Sequence, residues 1–297
     1  MKRSSILKTV GLVAVVAIAA ILVTTCSNQS DNETTKGADS TPTTADAPKP
    51  LNLSIYLDLS DRLIAKDASG NPLTPSQSDR DIMVVGHLID KFVDQAVAAK
   101  IVPCKNNIKV FFYPTPSDTA IVSLSSKLEV DLGKTPIAEK KKLLNDMKKS
   151  FTESLEQIYS TTCAQQNWLG CDIWGFFKDR AKNYCIREGY RNVLVVLTDG
   201  YIYYIPSHRF DATTKTGNYV TATLLNKQQN ITLEVPPIDL SDLEVLMLEV
   251  NPVAPRQSDT LKSILRTWLQ GMGVSKFEVE ETDLPSNTKT IIDNFLK

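Results

Sequence analysis

"LNLSIYLDLSDR", residues 51–62, decides the fold. Leu51, Leu53, Ile55, Tyr56 and Leu57 make a near-continuous apolar run. Such a run suits a strand covered on both faces, as in a parallel sheet flanked by helices. The character then changes at once to Asp58, Ser60, Asp61 and Arg62. In open α/β sheets, ligands gather beyond the carboxyl ends of strands, so this polar cluster marks a candidate site.

Working outward, helical spacing of Ile82, Val85, Leu88, Ile89, Phe92, Val93 and Ala96 predicts a helix over 78–99, with Ser78 as its N-cap. A second strand is expected at 108–114. Residues 119–125 and 127–132 read as short strands, one at a sheet edge. A long amphipathic helix follows at 135–160, with Leu144, Met147, Phe151, Leu155 and Ile158 as its stripe and its lysines on a solvated face. Residues 171–188 read as another helix, with Ile173, Phe176, Phe177 and Ala181 inward. "RNVLVVLTDG" (191–200) carries the most apolar strand of the chain. A strand at 243–250, a helix at 258–273, a strand at 276–282 and a helix at 286–297 complete the order. Strands alternating with helices imply a three-layer α/β/α, doubly wound, mostly parallel sheet of Rossmann-like type. No Gly-rich phosphate loop follows the first strand, so a nucleotide site has no motif to rest on.

The 297 residues include 33 basic and 34 acidic side chains, which excludes the basic footprint of a nucleic-acid binder. Hydrophobic residues make up 42% and charged ones 23%, ordinary for a globular body, and nothing repeats. The first 26 residues stand apart. Lys2, Arg3 and Lys8 precede an apolar run at 10–23, which is short for a membrane span and about right for a signal-peptide core. "LVTTC" ends it at Cys26 and resembles a bacterial lipobox, in which that cysteine becomes the lipid-bearing first residue. An uncleaved N-terminal anchor is the other reading, and both place the domain outside the inner membrane. Residues 27–50 contain no Leu, Ile, Val, Phe, Tyr or Trp and read as a disordered tether. Its mean reach is about 25–30 Å. Asp31 and Glu33 resemble the surface-export signals of Bacteroidetes lipoproteins. Cys104, Cys163, Cys171 and Cys185 remain in the domain, and an even number in an exported chain suggests disulfides of undetermined pairing. No paired spacing for a zinc site appears.

"DLSDR" after the first strand, "CDIWGFF" in the middle and "VLTDG" after a later strand resemble the von Willebrand factor A domain over roughly residues 51–297. That resemblance implies a metal-ion-dependent adhesion site, with Asp58, Ser60, Asp172 and Asp199 as ligands of Mg²⁺ or another divalent cation. Hard cations of this kind prefer oxygen ligands in octahedral geometry. Arg62 departs from the family pattern, which has a serine there. A guanidinium has no acceptor and ligates nothing. Two readings stay open: Arg62 turns outward and leaves a reduced metal site, or it replaces the metal and pairs with Asp58 or Asp199. Without a site at all, the cluster merely caps a strand.

The chain holds two histidines, and neither His87 on a helix nor His208 in a loop is placed beside Ser60 by the sequence, so a Ser-His-Asp arrangement has little support. Tyr201, Tyr203 and Tyr204 follow Asp199 directly and form a candidate partner surface, or else simply pack on a neighbouring loop. The expectation is a non-catalytic, lipid-anchored protein of the cell envelope, held at the outer membrane. Its partner would be a protein or glycan, recognised with or without a cation. A metal-assisted hydrolase using the same carboxylates and a metal-free structural lipoprotein are the alternatives.

Overall fold

The computed structural model describes residues 48–67 and 69–297. The expected signal segment 1–26, with Cys26, and nearly all of the expected tether lie outside the described residues. Among the described residues no helix is long and apolar enough to cross a membrane.

The central sheet has six strands: β1 (Leu51–Leu57), β2 (Asn107–Phe111), β3 (Glu129–Asp131), β5 (Arg191–Leu197), β10 (Leu243–Val250) and β11 (Lys276–Glu281). Their spatial order is β11-β10-β5-β1-β2-β3. All pairs are parallel except β2 with β3 at the edge, where Ile108 stands opposite Val130. Between the strands run α1 (Gln77–Ala98), α2 (Thr119–Ser125), α3 (Ile137–Gln165), α4 (Ile173–Phe176), α5 (Lys182–Cys185), α6 (Ala222–Lys227) and α7 (Ser258–Gly271), and α8 (Pro285–Phe295) follows the last strand. The molecule is a mixed α/β protein whose mostly parallel sheet is flanked by helices.

Period-two alternation sorts the strand residues between two cores. Leu53, Ile55 and Leu57 of β1, with Val193, Val195 and Leu197 of β5, meet Leu88 and Phe92 of α1, Phe151 of α3 and Phe295 of α8. Tyr56, Leu194, Val196 and Met247 point the other way, onto Phe176, Phe177 and Trp268. Burial on both faces explains why β1 and β5 read as continuous apolar runs. Near the amino end of the sheet, Asn52 donates to Asn192 Oδ1 (2.7 Å) and to the Cys185 carbonyl (2.8 Å), so these buried amides are satisfied.

Several local expectations are corrected. Residues 119–125 form a helix, not a strand, because the Asp118 carboxylate accepts from the backbone N–H groups of Ala120 and Ile121 and caps it. The first cap is Ser76, not Ser78: Ser76 and Asp79 make a reciprocal capping box. The helix expected at 171–188 begins later. Gly170–Cys171 is β4, paired with β6 (Tyr203–Tyr204), and a π turn over Phe177–Ala181 separates α4 from α5. The expected disulfides are absent among the described residues: Cys104, Cys163, Cys171 and Cys185 are free thiols. Cys104 and Cys163 pack toward one core, Cys171 and Cys185 toward the other, where each serves as a small apolar filler.

Residues 201–234, between β5 and β10, build a small appendage. It holds β6, β7 (Phe210–Asp211), β8 (Thr216–Gly217), α6 and β9 (Thr232–Leu233), with β8 between β7 and β9.

Candidate functional site at the carboxyl edge

The chain leaves β1 at Asp58, whose N–H still donates to the Leu197 carbonyl of β5 (3.1 Å). The Asp58 side chain is fully buried, at 0% exposure. Its Oδ1 accepts from the Ser60 N–H (2.9 Å) and its Oδ2 from the Thr198 hydroxyl (2.8 Å). Residues Asp61–Ile64 then form a single 3-10 turn. That turn folds Arg62 back under the strand ends, where it is only 5% exposed.

The Arg62 guanidinium is surrounded by oxygen. Nε donates to the Asp58 carbonyl (2.9 Å) and lies 3.7 Å from Asp58 Oδ2. Nη2 donates to the Leu197 carbonyl (3.1 Å) and to Asp81 Oδ2 (2.5 Å), and Nη1 faces Asp81 Oδ1 at 3.4 Å. Asp81, on α1 and 0% exposed, also accepts from Gln77 Nε2 (3.1 Å) and from the Tyr159 hydroxyl of α3 (2.7 Å). Burial works against the guanidinium charge, but the Asp81 and Asp58 carboxylates outweigh it and hold the Arg62 pKa above its ordinary value. The same burial, with Asp81 beside it, raises the Tyr159 phenol well above its usual range.

Asp199 follows Thr198 on the next strand end. Burial, then the nearby Asp58 charge, push its carboxyl up to about 7, although Arg62 and the Tyr201 N–H pull the other way. That N–H donates to Asp199 Oδ1 (3.0 Å). Cys171 completes the cluster. Its Sγ sits 2.8 Å from the Tyr56 hydroxyl, which donates to the Tyr113 carbonyl (2.9 Å). Burial and the Asp58 charge push the Cys171 thiol well above its ordinary pKa, so it remains a neutral S–H.

The structure therefore gathers Asp58, Ser60, Arg62 and Asp199 at one edge. The Asp172 Oδ1 caps α4, accepting from the Gly175 N–H (2.8 Å). Burial raises its carboxyl pKa, partly offset by that N–H. Glycine at 175 is required, since a Cβ there would lie 2.3 Å from Asp172 Oδ2. The three tyrosines separate. The Tyr201 hydroxyl donates to Gln257 Oε1 (2.6 Å) and accepts from the Val253 N–H (3.0 Å), tying the edge to the loop before α7. Tyr204 pairs with Gly170 in the small β4–β6 ladder. Tyr203 joins His208 and Tyr219 in a cluster with ring centroids 4.9 to 5.6 Å apart, and Phe210 extends it at 6.2 Å from Tyr219.

This geometry does not fit an octahedral divalent ion. Both Asp58 oxygens already accept protein hydrogen bonds, and a fixed positive charge stands within 3.7 Å of one of them. One Asp172 oxygen caps a helix, and among the described residues no group of three or more His, Cys, Asp or Glu side chains is placed to hold a metal. Neither histidine approaches Ser60: His87 bonds Asp293 on α8 (2.8 Å) and His208 bonds the Ile205 carbonyl (2.8 Å). At the opposite, amino edge of the sheet lies a broad depression of about 980 Å³, lined by both signs of charge, including Lys100, Lys105, Arg191, Asp242 and Glu244.

The sequence pattern does not single out Asp81, Tyr159 or Thr198. One signal is present for Asp81. It lies four residues before Val85 and seven before Leu88, on the apolar stripe of α1, and an acid in that position needs a buried cation.

No family model matches the chain. No curated protein matches it either. Among solved structures it is similar to the pilus adhesin SpaC from Lactobacillus rhamnosus GG in its open conformation, with a TM-score of 0.41 and 10% identity, over 84% of this chain and 30% of that one. The chain thus spans less than a third of that adhesin's length.

Proposed function

We propose that residues 51–297 form a doubly wound, von Willebrand A-like binding domain, carried on a lipid anchor at Cys26 of an exported envelope protein. Its partner is a protein or glycan, met at the carboxyl edge of the sheet without catalysis. The observation that carries this reading is the aromatic surface built directly after the β5 strand end. Tyr203, His208, Phe210 and Tyr219 stand together on an appendage inserted between two sheet strands. Aromatic groups with polar tips suit a surface that is both apolar and wet. The reversal of strand order about β1, whose neighbours β2 and β5 lie on opposite sides, supports a ligand-binding edge at this place. The separation of Ser60 from both histidines supports binding over hydrolysis.

The test is direct binding of the full chain to arrayed bacterial glycans and to purified envelope proteins, beside Tyr203→Ala and Tyr219→Ala variants. Saturable binding weakened in both variants supports the reading. Binding indifferent to both, or turnover of the bound glycan, would defeat it. Incorporation of labelled palmitate, lost in Cys26→Ser, tests the anchor separately.

A further inference from the structure

We propose that Arg62 is a permanent internal cation, standing where the sequence resemblance implies a divalent ion, so that the carboxyl edge is assembled without metal. The proposal rests on the binding reading for what the edge is used for, and on geometry alone for how the edge is built.

The first support is the acceptor set. A guanidinium carries five N–H donors in a rigid plane. Here four acceptors receive them at 2.5 to 3.4 Å: the Asp58 carbonyl, the Leu197 carbonyl and both oxygens of Asp81. The ends of β1 and β5 and the first turns of α1 are thereby drawn to one charge. A lysine ammonium, a point charge with three donors, has no such fork.

The second support is charge compensation. Asp58 and Asp81 are both fully buried, and their nearest described cation is Arg62, itself 5% exposed. Buried carboxylates are retained only when paired or bound to a metal. The pairing is already present, so a dication entering beside Arg62 would meet a fixed positive charge.

The third support is the reinforcement of Asp81. Gln77 and Tyr159 both donate to it, which holds the carboxylate against the guanidinium. Tyr159 comes from α3, so the arginine links two helices to the sheet. An exchangeable ion would make that linkage depend on ion concentration, whereas a side chain makes it constant.

The experiment uses the full-length chain in detergent, with free Mn²⁺ followed by electron paramagnetic resonance and unfolding followed in Mg²⁺, Mn²⁺, Ca²⁺ or EDTA. The wild type is expected to leave the free Mn²⁺ signal undiminished at millimolar metal and to keep one Tm in all four conditions. Arg62→Ser combined with Asp81→Asn removes the pair and leaves Asp58 as the one buried carboxylate open to a cation. It is expected to gain a Tm rise of several degrees with Mn²⁺, abolished when Asp58→Asn is added. Mn²⁺ uptake by the wild type that disappears in Asp58→Asn would overturn the proposal. So would a folded double variant with no cation response, which would make Arg62 an ordinary ion pair. Should the double variant not fold, the wild-type titration decides alone, with uptake against the proposal and silence for it. Partner binding is not read here, so failure of this proposal and failure of the binding reading are separate results.

Discussion

Replacing Asp199 with asparagine removes one titrating group and keeps its shape. The Asp199 carboxyl is pushed up to about 7 by burial and by Asp58, against about 3.9 for an aspartate in the unfolded chain. Between those values the folded state holds a proton that the unfolded state has released, so stability falls as pH rises, by about 1.4 kcal/mol per pH unit. The contribution is fully present below about pH 4 and is gone above the folded value. Integrated from pH 5 to pH 8, the loss is about 2.5 kcal/mol, which for a urea slope of about 2–3 kcal/mol/M lowers the midpoint by about 1 M. Asp199→Asn should match the wild type only below about pH 4, exceed it by about 1.5 kcal/mol at pH 5 and by about 4 kcal/mol at pH 8, so the gap widens by about 2.5 kcal/mol over the range. Urea unfolding at four pH values between 5 and 8 reads both curves. A wild type that gains stability over this range, or a variant that runs parallel to it, would refute the assignment of the shift to Asp199.

Arg62→Ala should cost about 3–5 kcal/mol in urea unfolding, because it leaves two buried carboxylates unpaired, and Arg62→Leu with Asp81→Leu should recover only the Asp81 part of that, since Asp58 stays without its cation. Gly200→Ala should destabilise by about 1–3 kcal/mol, read as a lower Tm: the backbone there has φ +88° and a Cβ would lie 2.9 Å from Val250 Cγ1. The described thiols are free, so a reductant should leave Tm unchanged. Under native conditions Cys163 should react with a thiol reagent first, since Cys104, Cys171 and Cys185 are buried. A Tm that drops on reduction would mean that disulfides form after all.

The strand and helix order is legible in the sequence because its signals are periodic and long. β1 and β5 are buried on both faces, and the stripes of α1 and α3 repeat over many turns. Short elements escape the pattern where one side chain decides. Asp118 caps residues 119–125 into a helix despite their β-branched content, and the Asp172 cap with its neighbouring π turn breaks what looks like one continuous helix. At the site, Asp58, Ser60, Arg62 and Asp199 are visible as strand-end residues. The fate of Arg62 is not, because it is set by Asp81 on the following helix and by Tyr159, nearly a hundred positions on. Long-range polar pairing leaves no local pattern to read. The even cysteine count misleads for the same reason: pairing depends on which core each thiol enters.

The central place of β1 has a kinetic consequence. Leu51 pairs with Arg191 on one side, while Asn52 pairs with Asn107 on the other. The first strand of the described residues is therefore interior to the sheet, and one of its partners arrives 140 residues later. Loop closure over that distance comes before the β1–β5 pairing rewards it, which slows folding. A nascent chain that ends before residue 191 exposes one side of a largely apolar strand, an edge of the kind that recruits other chains. Delivery of β5 is the event that closes that edge, and substitutions that weaken "VLVVL" should lower the yield of soluble protein more than they lower the stability of the molecules that do fold.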